Sequence, residues 1–265
     1  MGMTSKGPRE VRPSQKLLMG PWRHAINSAT KLGEVEFGPS AKIDLEAAML
    51  RFFDHWLKGI DNGVEREPPV RIFVMGENAW RDESEWPIAR TRWTRYYLHG
   101  GGRANSLFGD GTLSTAEATE VCGPVKVRLW ASSTGRDADF MAKLLDVWPE
   151  EFAQRLTDGM VRARFREGMD RPSPIEPGRV YAYDLDAWNT CQLFGKDHRI
   201  RLEIASSAFP KYDRSPSTDE PLGKTTRLER AEQRIYHDRQ RPSHVVLPIV
   251  PKREAAPAGP SPGAP

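Results

Sequence analysis

From Trp93 to Val250 the chain holds no sustained helical stripe. It runs instead through short apolar segments: Thr94–Leu98, Val125–Ala131, Phe140–Trp148, Val161–Arg166, Val180–Leu185, His198–Ser206 and Val245–Val250. Clusters of Gly, Pro, Asn and Asp separate them, and Gly and Pro number 22 each in the 265 residues. A strand with one apolar face must bury that face against another layer. Many short strands with turn chemistry between them predict a mainly β body, a jelly-roll β-sandwich over residues 89–250. At 38% hydrophobic and 28% charged residues, the chain has ordinary globular composition with a wet surface.

One stretch breaks the rule. Leu45, Ala48, Met49, Phe52, Phe53, Trp56 and Leu57 recur at helical spacing, with Arg51, Asp54, His55 and Lys58 between them. Asp44 is placed as an N-cap and Gly59 as a stop, which predicts a helix over 45–58. Its wide aromatic stripe predicts packing on a sheet. Before it, Lys16–Met19 reads as a strand, and 25–43 as mostly loop, broken by Gly33, Gly38 and Pro39. After it, Val70–Met75 reads as a strand and 76–92 as a linker anchored by Trp80 and Trp86. These readings divide the chain into 1–88, 89–250 and a Pro/Ala/Gly tail, 251–265, that cannot bury enough apolar surface to order itself.

The formal net charge is +3 and the pI about 8.9. Arg162, Arg164 and Arg166 alternate along one segment, and Arg199 and Arg201 along another. Interleaved with acids, they read as the solvated face of an antiparallel sheet, not as the one-signed stripe that nucleic acid requires. Cys122 and Cys191 are too few for a disulfide framework and read as buried free thiols, consistent with a reducing compartment. The N-terminal MGMTSKGPREVRPSQ has no apolar h-region, Lys6 breaks the myristoylation pattern, and no apolar run is long enough to span a membrane. The expectation is a soluble cytoplasmic protein that binds neither membrane nor nucleic acid. No zinc spacing occurs, and Gly100-Gly101-Gly102 reads as a hairpin loop rather than a phosphate cradle, so no metal or cofactor is expected.

The residue best placed for chemistry is His24, in Gly20-Pro21-Trp22-Arg23-His24 just after the first strand. A general base must stand free of the sheet and turn toward its nucleophile, which a loop after a strand permits. No Gly-x-Ser-x-Gly elbow occurs. Ser132-Ser133 and Ser206-Ser207 read as strand-end hydroxyls. Asp137, Asp139 and Asp146 read as turn and edge residues, Asp61 as a turn residue, and His237, Asp238 and His244 as solvated turns.

Several segments together resemble the cocaine-esterase and Xaa-Pro dipeptidyl-peptidase family of serine hydrolases. Gln15–His24 looks like the family's strand and catalytic-His segment, and Arg51–Gly59 like its last helix. Pro68–Gly76, Trp80-Arg81 and Glu85-Trp86-Pro87 look like its crossover into a second domain. Gly123-Pro124-Val125, Asp137–Phe140, residues 196–214 and 243–249 look like its C-terminal jelly roll. The resemblance covers residues 1–250.

It implies an enzyme with an α/β-hydrolase core carrying Ser, Asp and His, a helical cap, and a jelly roll packed on both. In that fold the triad follows the order Ser, acid, His along the chain. His24 takes the place of the triad His, while the serine, the acid and the oxyanion donors fall upstream of the matched segment. The resemblance thus implies the C-terminal portion of a serine hydrolase, with the last strands and helix of a truncated α/β-hydrolase domain ahead of the sandwich. The whole enzyme would act on esters, amides or Xaa-Pro dipeptidyl peptides through an acyl-serine. This chain would be inactive alone, and two origins are open: a truncated gene or late start codon, or a separately encoded N-terminal hydrolase half that complements it. The alternative is a non-catalytic β-sandwich binding module using Trp93, Tyr96, Tyr97 or Trp188.

Overall fold

The computed structural model describes residues 11, 14–22, 29–104, 111 and 113–252. The tail expected to be disordered lies outside the described residues from position 253 onward.

The first layer is a three-stranded sheet. Strand β1 (Leu17–Met19) runs parallel to β4 (Val70–Val74), and β4 pairs antiparallel with β5 (Ala79–Glu83). Between β1 and β4 lie a small hairpin, β2 (Lys31–Leu32) and β3 (Val35–Glu36), and helix α1 (Leu45–Lys58). The expected loop over 76–92 is thus corrected, whereas the described part of 25–43 is mostly loop as expected, broken only by this short hairpin and a 3-10 turn at Pro39–Ala41. The sequence Ala-Trp-Arg-Asp-Glu has little intrinsic strand character. A tight turn makes the hairpin: Asn78 N–H donates to the Val74 carbonyl at 2.7 Å, and Gly76 sits at φ 86. A Cβ on Gly76 would stand 2.3 Å from the Leu193 carbonyl oxygen, so only glycine fits there.

The second body is a β-sandwich. One sheet has the order β10 (Tyr181–Phe194), β7 (Thr119–Ser133), β13 (His244–Val250), β6 (Arg92–Tyr97). Strand β12 (Gln233–Tyr236), which sequence reading missed, pairs with the far end of β7. The facing sheet has the order β11 (Arg199–Ala205), β8 (Asp139–Val147), β9 (Ala153–Arg162). Alternation along the strands sends Val125, Val127, Leu129, Phe140, Ala142, Leu144, Tyr183, Leu185, Val245 and Leu247 into one core, with Phe140 and Tyr183 4.8 Å apart between ring centres.

The expected strand over 161–166 ends at Arg162. Ala163–Phe165 is a 3-10 turn, and Arg162 and Arg164 are buried rather than solvated. Each chelates an aspartate. Arg162 meets both oxygens of Asp139 at 2.7 and 2.9 Å, and Arg164 donates to Asp137 at 2.6 Å. Asp137 and Asp139 are therefore buried partners, not turn or edge residues. Arg162 also reaches Asp213, and Arg164 reaches the Thr218 and Glu220 carbonyls, so the pair pins the segment 213–220 to the sandwich.

The two bodies meet along β4. Val70, Ile72 and Val74 pack with Trp86, Ile88, Val250 and the two cysteines, while Phe73 on the opposite face packs with Phe37 and Ala41. Being covered on both faces explains why β4 is apolar almost throughout. Main-chain bonds Met75 N to Cys191 O and Leu193 N to Met75 O carry the first layer onto β10. Arg81 of β5 adds a bidentate bond to Glu120 of β7, at 2.8 and 2.5 Å.

Cys122 and Cys191 stand opposite each other in the β7–β10 register and form a disulfide. The expectation of free thiols was wrong in state and right in burial. It also loses its value as a sign of a reducing compartment. Among the described residues, no helix is long and apolar enough to cross a membrane.

Candidate functional site

His24 lies outside the described residues, and so does Arg23. What leads up to them is fixed. Strand β1 ends at Met19, Pro21 is buried, and Trp22 folds back over Gly20, where a Cβ would meet three ring carbons at 2.6 Å. The Trp22 indole N–H donates to the Ala41 carbonyl at 2.7 Å. Trp80 of β5 stands 5.6 Å from Trp22 between ring centres and donates its own N–H to the Ser40 carbonyl at 2.7 Å. Phe73 and Phe37 continue this aromatic column at 5.4 and 6.0 Å. Sequence reading placed Trp80 only as a loop anchor; its partners, Trp22 and the Ser40 carbonyl, are far away along the chain.

Helix α1 forms as the pattern predicts. Asp44 caps it by accepting from Ala47 N–H at 2.9 Å, and Gly59 closes it in the left-handed region at φ 71. The apolar stripe, however, is bare. Met49, Phe53, Trp56 and Leu57 are exposed, Leu57 to 78%, and no residue of the helix is buried. The polar side does the docking. Arg51 exchanges hydrogen bonds with Asn62, and His55 donates from Nδ1 to the Ile60 carbonyl (2.9 Å) while its Nε2 faces the Glu65 carboxylate (3.1 Å). The Ile60 carbonyl, then the Glu65 carboxylate, raises the His55 pKa above the ordinary value. The expected packing of the stripe on a sheet is not found among the described residues.

The remaining candidates are structural. Ser133 Oγ accepts from Gly135 N–H, and Ser132 Oγ lies 3.2 Å from the Tyr236 hydroxyl. Ser206 and Ser207 lie in the exposed turn after β11. Asp61 takes its turn role beside Gly63 and Arg66, and Asp238 caps its own turn through Arg241. His244 belongs to β13 rather than to a turn.

Asp146 corrects its expected turn or edge role. It is buried, bonded to His198 Nδ1 at 2.7 Å and to Gln192 Nε2 at 3.0 Å, and burial pushes its carboxyl pKa up. This Asp–His pair has the look of a catalytic dyad. The other ring nitrogen, though, rests over Gly195, 2.6 Å from where a Cβ would be. The neighbouring hydroxyl, Thr115, is taken up by the Gly195 and His198 carbonyls. With no free nucleophile beside it among the described residues, the pair ties β8 to β10 and β11.

Glu120, Cys122 and Cys191 lie within metal-ligand reach of one another, but the sulfurs are joined and Glu120 chelates Arg81. On the outer face of the large sheet, Lys126 pairs with Asp186 and Arg128 with Asp184, so the charges cancel in place. Trp93, Tyr97 and Trp188 are exposed around that face, whereas Tyr96 packs into the core.

The description "X-Pro dipeptidyl-peptidase C-terminal non-catalytic domain" matches this chain over residues 62–118 and 114–246. The cocaine esterase of Rhodococcus sp. (strain MB1 Bresler) is 34% identical over 295 residues, covering 89% of this chain and 51% of that protein. Two solved structures share the fold. An aminopeptidase from a marine-sediment Thaumarchaeota archaeon has a TM-score of 0.75 at 24% identity, over 89% of this chain and 50% of that one. An α-amino acid ester hydrolase has a TM-score of 0.73 at 24% identity, over 91% and 51%. The chain spans about half the length of the curated relatives it matches. Its sandwich, with the seam strands that lead into it, belongs to the family of X-Pro dipeptidyl-peptidase C-terminal non-catalytic domains.

Proposed function

We propose that this chain is the C-terminal portion of a serine hydrolase acting on esters, amides or Xaa-Pro dipeptidyl peptides. Residues 1–88 would supply the last elements of the α/β core, and 89–250 the sandwich. His24 serves as base and then acid for a serine that an N-terminal half provides, through an acyl-serine intermediate. The observation that carries this reading is the bare side of the first layer. Strand β1 lies at the edge of a sheet whose pairing with β4 is parallel, and α1 turns an apolar aromatic stripe outward. A parallel strand with an uncovered neighbour helix is half of an α/β arrangement. A patch of this kind marks a surface that another body covers.

The test restores that body. The N-terminal half of a related esterase is supplied in trans, or the reading frame immediately upstream in cis, and native chain is compared with His24→Ala. Regained esterase activity that falls ~10²–10⁴-fold in the variant supports the general-base role. Restored activity indifferent to His24→Ala ends it. Alone, the chain should not be labelled by a fluorophosphonate serine probe.

A second reading, a binding module, draws on the exposed Trp93, Tyr97 and Trp188. It gives no use to β1 and α1. It gains ground only if residues 89–250 alone hold a ligand that the complemented enzyme does not need.

A further inference from the structure

We infer that the first layer is a lid over a thiol–disulfide centre. Thiols reach the Cys122–Cys191 bond only when β4 lifts from the sandwich, and reduction in turn favours the lifted state. The inference stands apart from His24 and from the reading of the chain as part of a hydrolase. Cys122 is fully buried and Cys191 is 2% exposed. Val121, next to Cys122, packs into the sandwich core, so alternation turns the sulfurs the other way, into the seam. There they cluster with Val70, Ile72 and Val74 of β4, with Trp86 and Ile88, and with Val250 of β13. An attacking thiolate needs access to a sulfur, so the bond is shielded for as long as this cover is in place.

Directional bonds fasten the cover. Met75 N–H donates to the Cys191 carbonyl at 3.0 Å, and Leu193 N–H to the Met75 carbonyl at 2.8 Å. Arg81 of β5 grips Glu120, and the same guanidinium lies 3.8 Å from the Cys122 sulfur. The sandwich keeps its ladder with or without the disulfide: Glu120 stands opposite Leu193 and Gly123 opposite Thr190, on either side of it. Reduction by a dithiol takes two steps. A thiolate attacks one sulfur and the other leaves as thiolate; the reductant's second thiol then displaces the bound sulfur. Two electrons and two protons pass to the protein, which ends with two thiols, and the dithiol ends as a cyclic disulfide. Two unbonded sulfurs need more room than a bonded pair, and a close-packed seam resists that enlargement. The lifted layer sets no such limit. By linkage, reduction favours lifting to the same degree that docking resists reduction.

The full chain is treated with dithiothreitol at fixed pH, and released thiols are measured by alkylation and mass spectrometry. Reduction of the native chain should be slower than that of the denatured chain by ~10²-fold or more, set by the small population of the lifted state. It should still outrun the opening of β8 and β9 seen by amide exchange. Glu120→Gln weakens the grip of Arg81 and should raise the native rate ~10-fold, the worth of a charge-assisted hydrogen bond. Glu151→Gln breaks an exposed pair with Arg199, away from the seam, and should leave the rate within about twofold. Once the chain is reduced, β4 and β5 should lose amide protection while β8 and β9 keep theirs. A native rate equal to the denatured one, or one that tracks the opening of β8 and β9, overturns the inference. So does a rate indifferent to Glu120→Gln, or a reduced chain whose β4 is as well protected as before.

Discussion

Cys122 and Cys191 face each other across β7 and β10, fully enclosed by Val70, Ile72, Val74 and Val250, with the Arg81 guanidinium 3.8 Å from one sulfur. Joining residues 69 apart restricts the unfolded chain, an effect typically worth about 2–4 kcal/mol. Replacing both by serine should lower the unfolding free energy by about that amount. Alkylation of the unreduced, denatured chain should find no free thiol; two labelled cysteines would refute the cross-link. The facing sheet of the sandwich shows how buried charge is handled in this molecule. Arg162 with Asp139 and Arg164 with Asp137 are buried pairs in which each member satisfies the other. Burial pushes the Asp139 carboxyl up, and the Arg162 bonds pull it back. Removing one partner of such a pair is far costlier than removing both, because a buried charge is then left alone.

Helix α1 carries its own start and stop, Asp44 and Gly59, and an i,i+4 pair, Asp54 with Lys58. What anchors it is the polar side, through Arg51 and His55. His55 has its folded pKa raised above 6.5 by the Ile60 carbonyl and Glu65. A raised folded value means protonated His55 favours the folded helix. That contribution is complete below the unfolded pKa and is lost as pH rises through the folded one. Amide exchange corrected for intrinsic rates should show α1 better protected at about pH 5.5 than at about pH 8, and His55→Gln should erase the difference. Equal pH dependence in the variant would show that His55 plays no such part. Strand β5 teaches a related lesson. Its residues are largely polar, and the turn at Gly76 and Asn78 with the fixed register on β4 makes it a strand.

Across the whole molecule, protection should be uneven. The sandwich holds one contiguous core from β6 to β13 and should open as a unit. Among the described residues, 29–60 add nothing to that core; they join the first layer at the Phe37, Ala41 and Phe73 cluster and through the Ser40 and Ala41 carbonyls, while α1 buries nothing. Hydrogen exchange should therefore find α1 opening well before β7 and β10. Equal protection in the two regions would contradict this, unless a second body covers the helix stripe. Complementation by an N-terminal half should raise protection of α1 selectively.

Local pattern sufficed for much of this. The alternation of β7, β8 and β10, the capped stripe of α1, and the family motifs around Trp22, Trp86 and Asp139 are all written in residues near one another in the chain. They are legible because a strand or helix repeats its environment every two or nearly four residues. Long-range register decided the rest. It set Cys122 against Cys191, sank Arg162 and Arg164 onto aspartates, and brought Trp80 to the Ser40 carbonyl and the Trp22 ring. Among the described residues it also leaves the stripe of α1 exposed. Periodicity names the face that must be buried, and only the tertiary arrangement shows whether anything in this chain covers it.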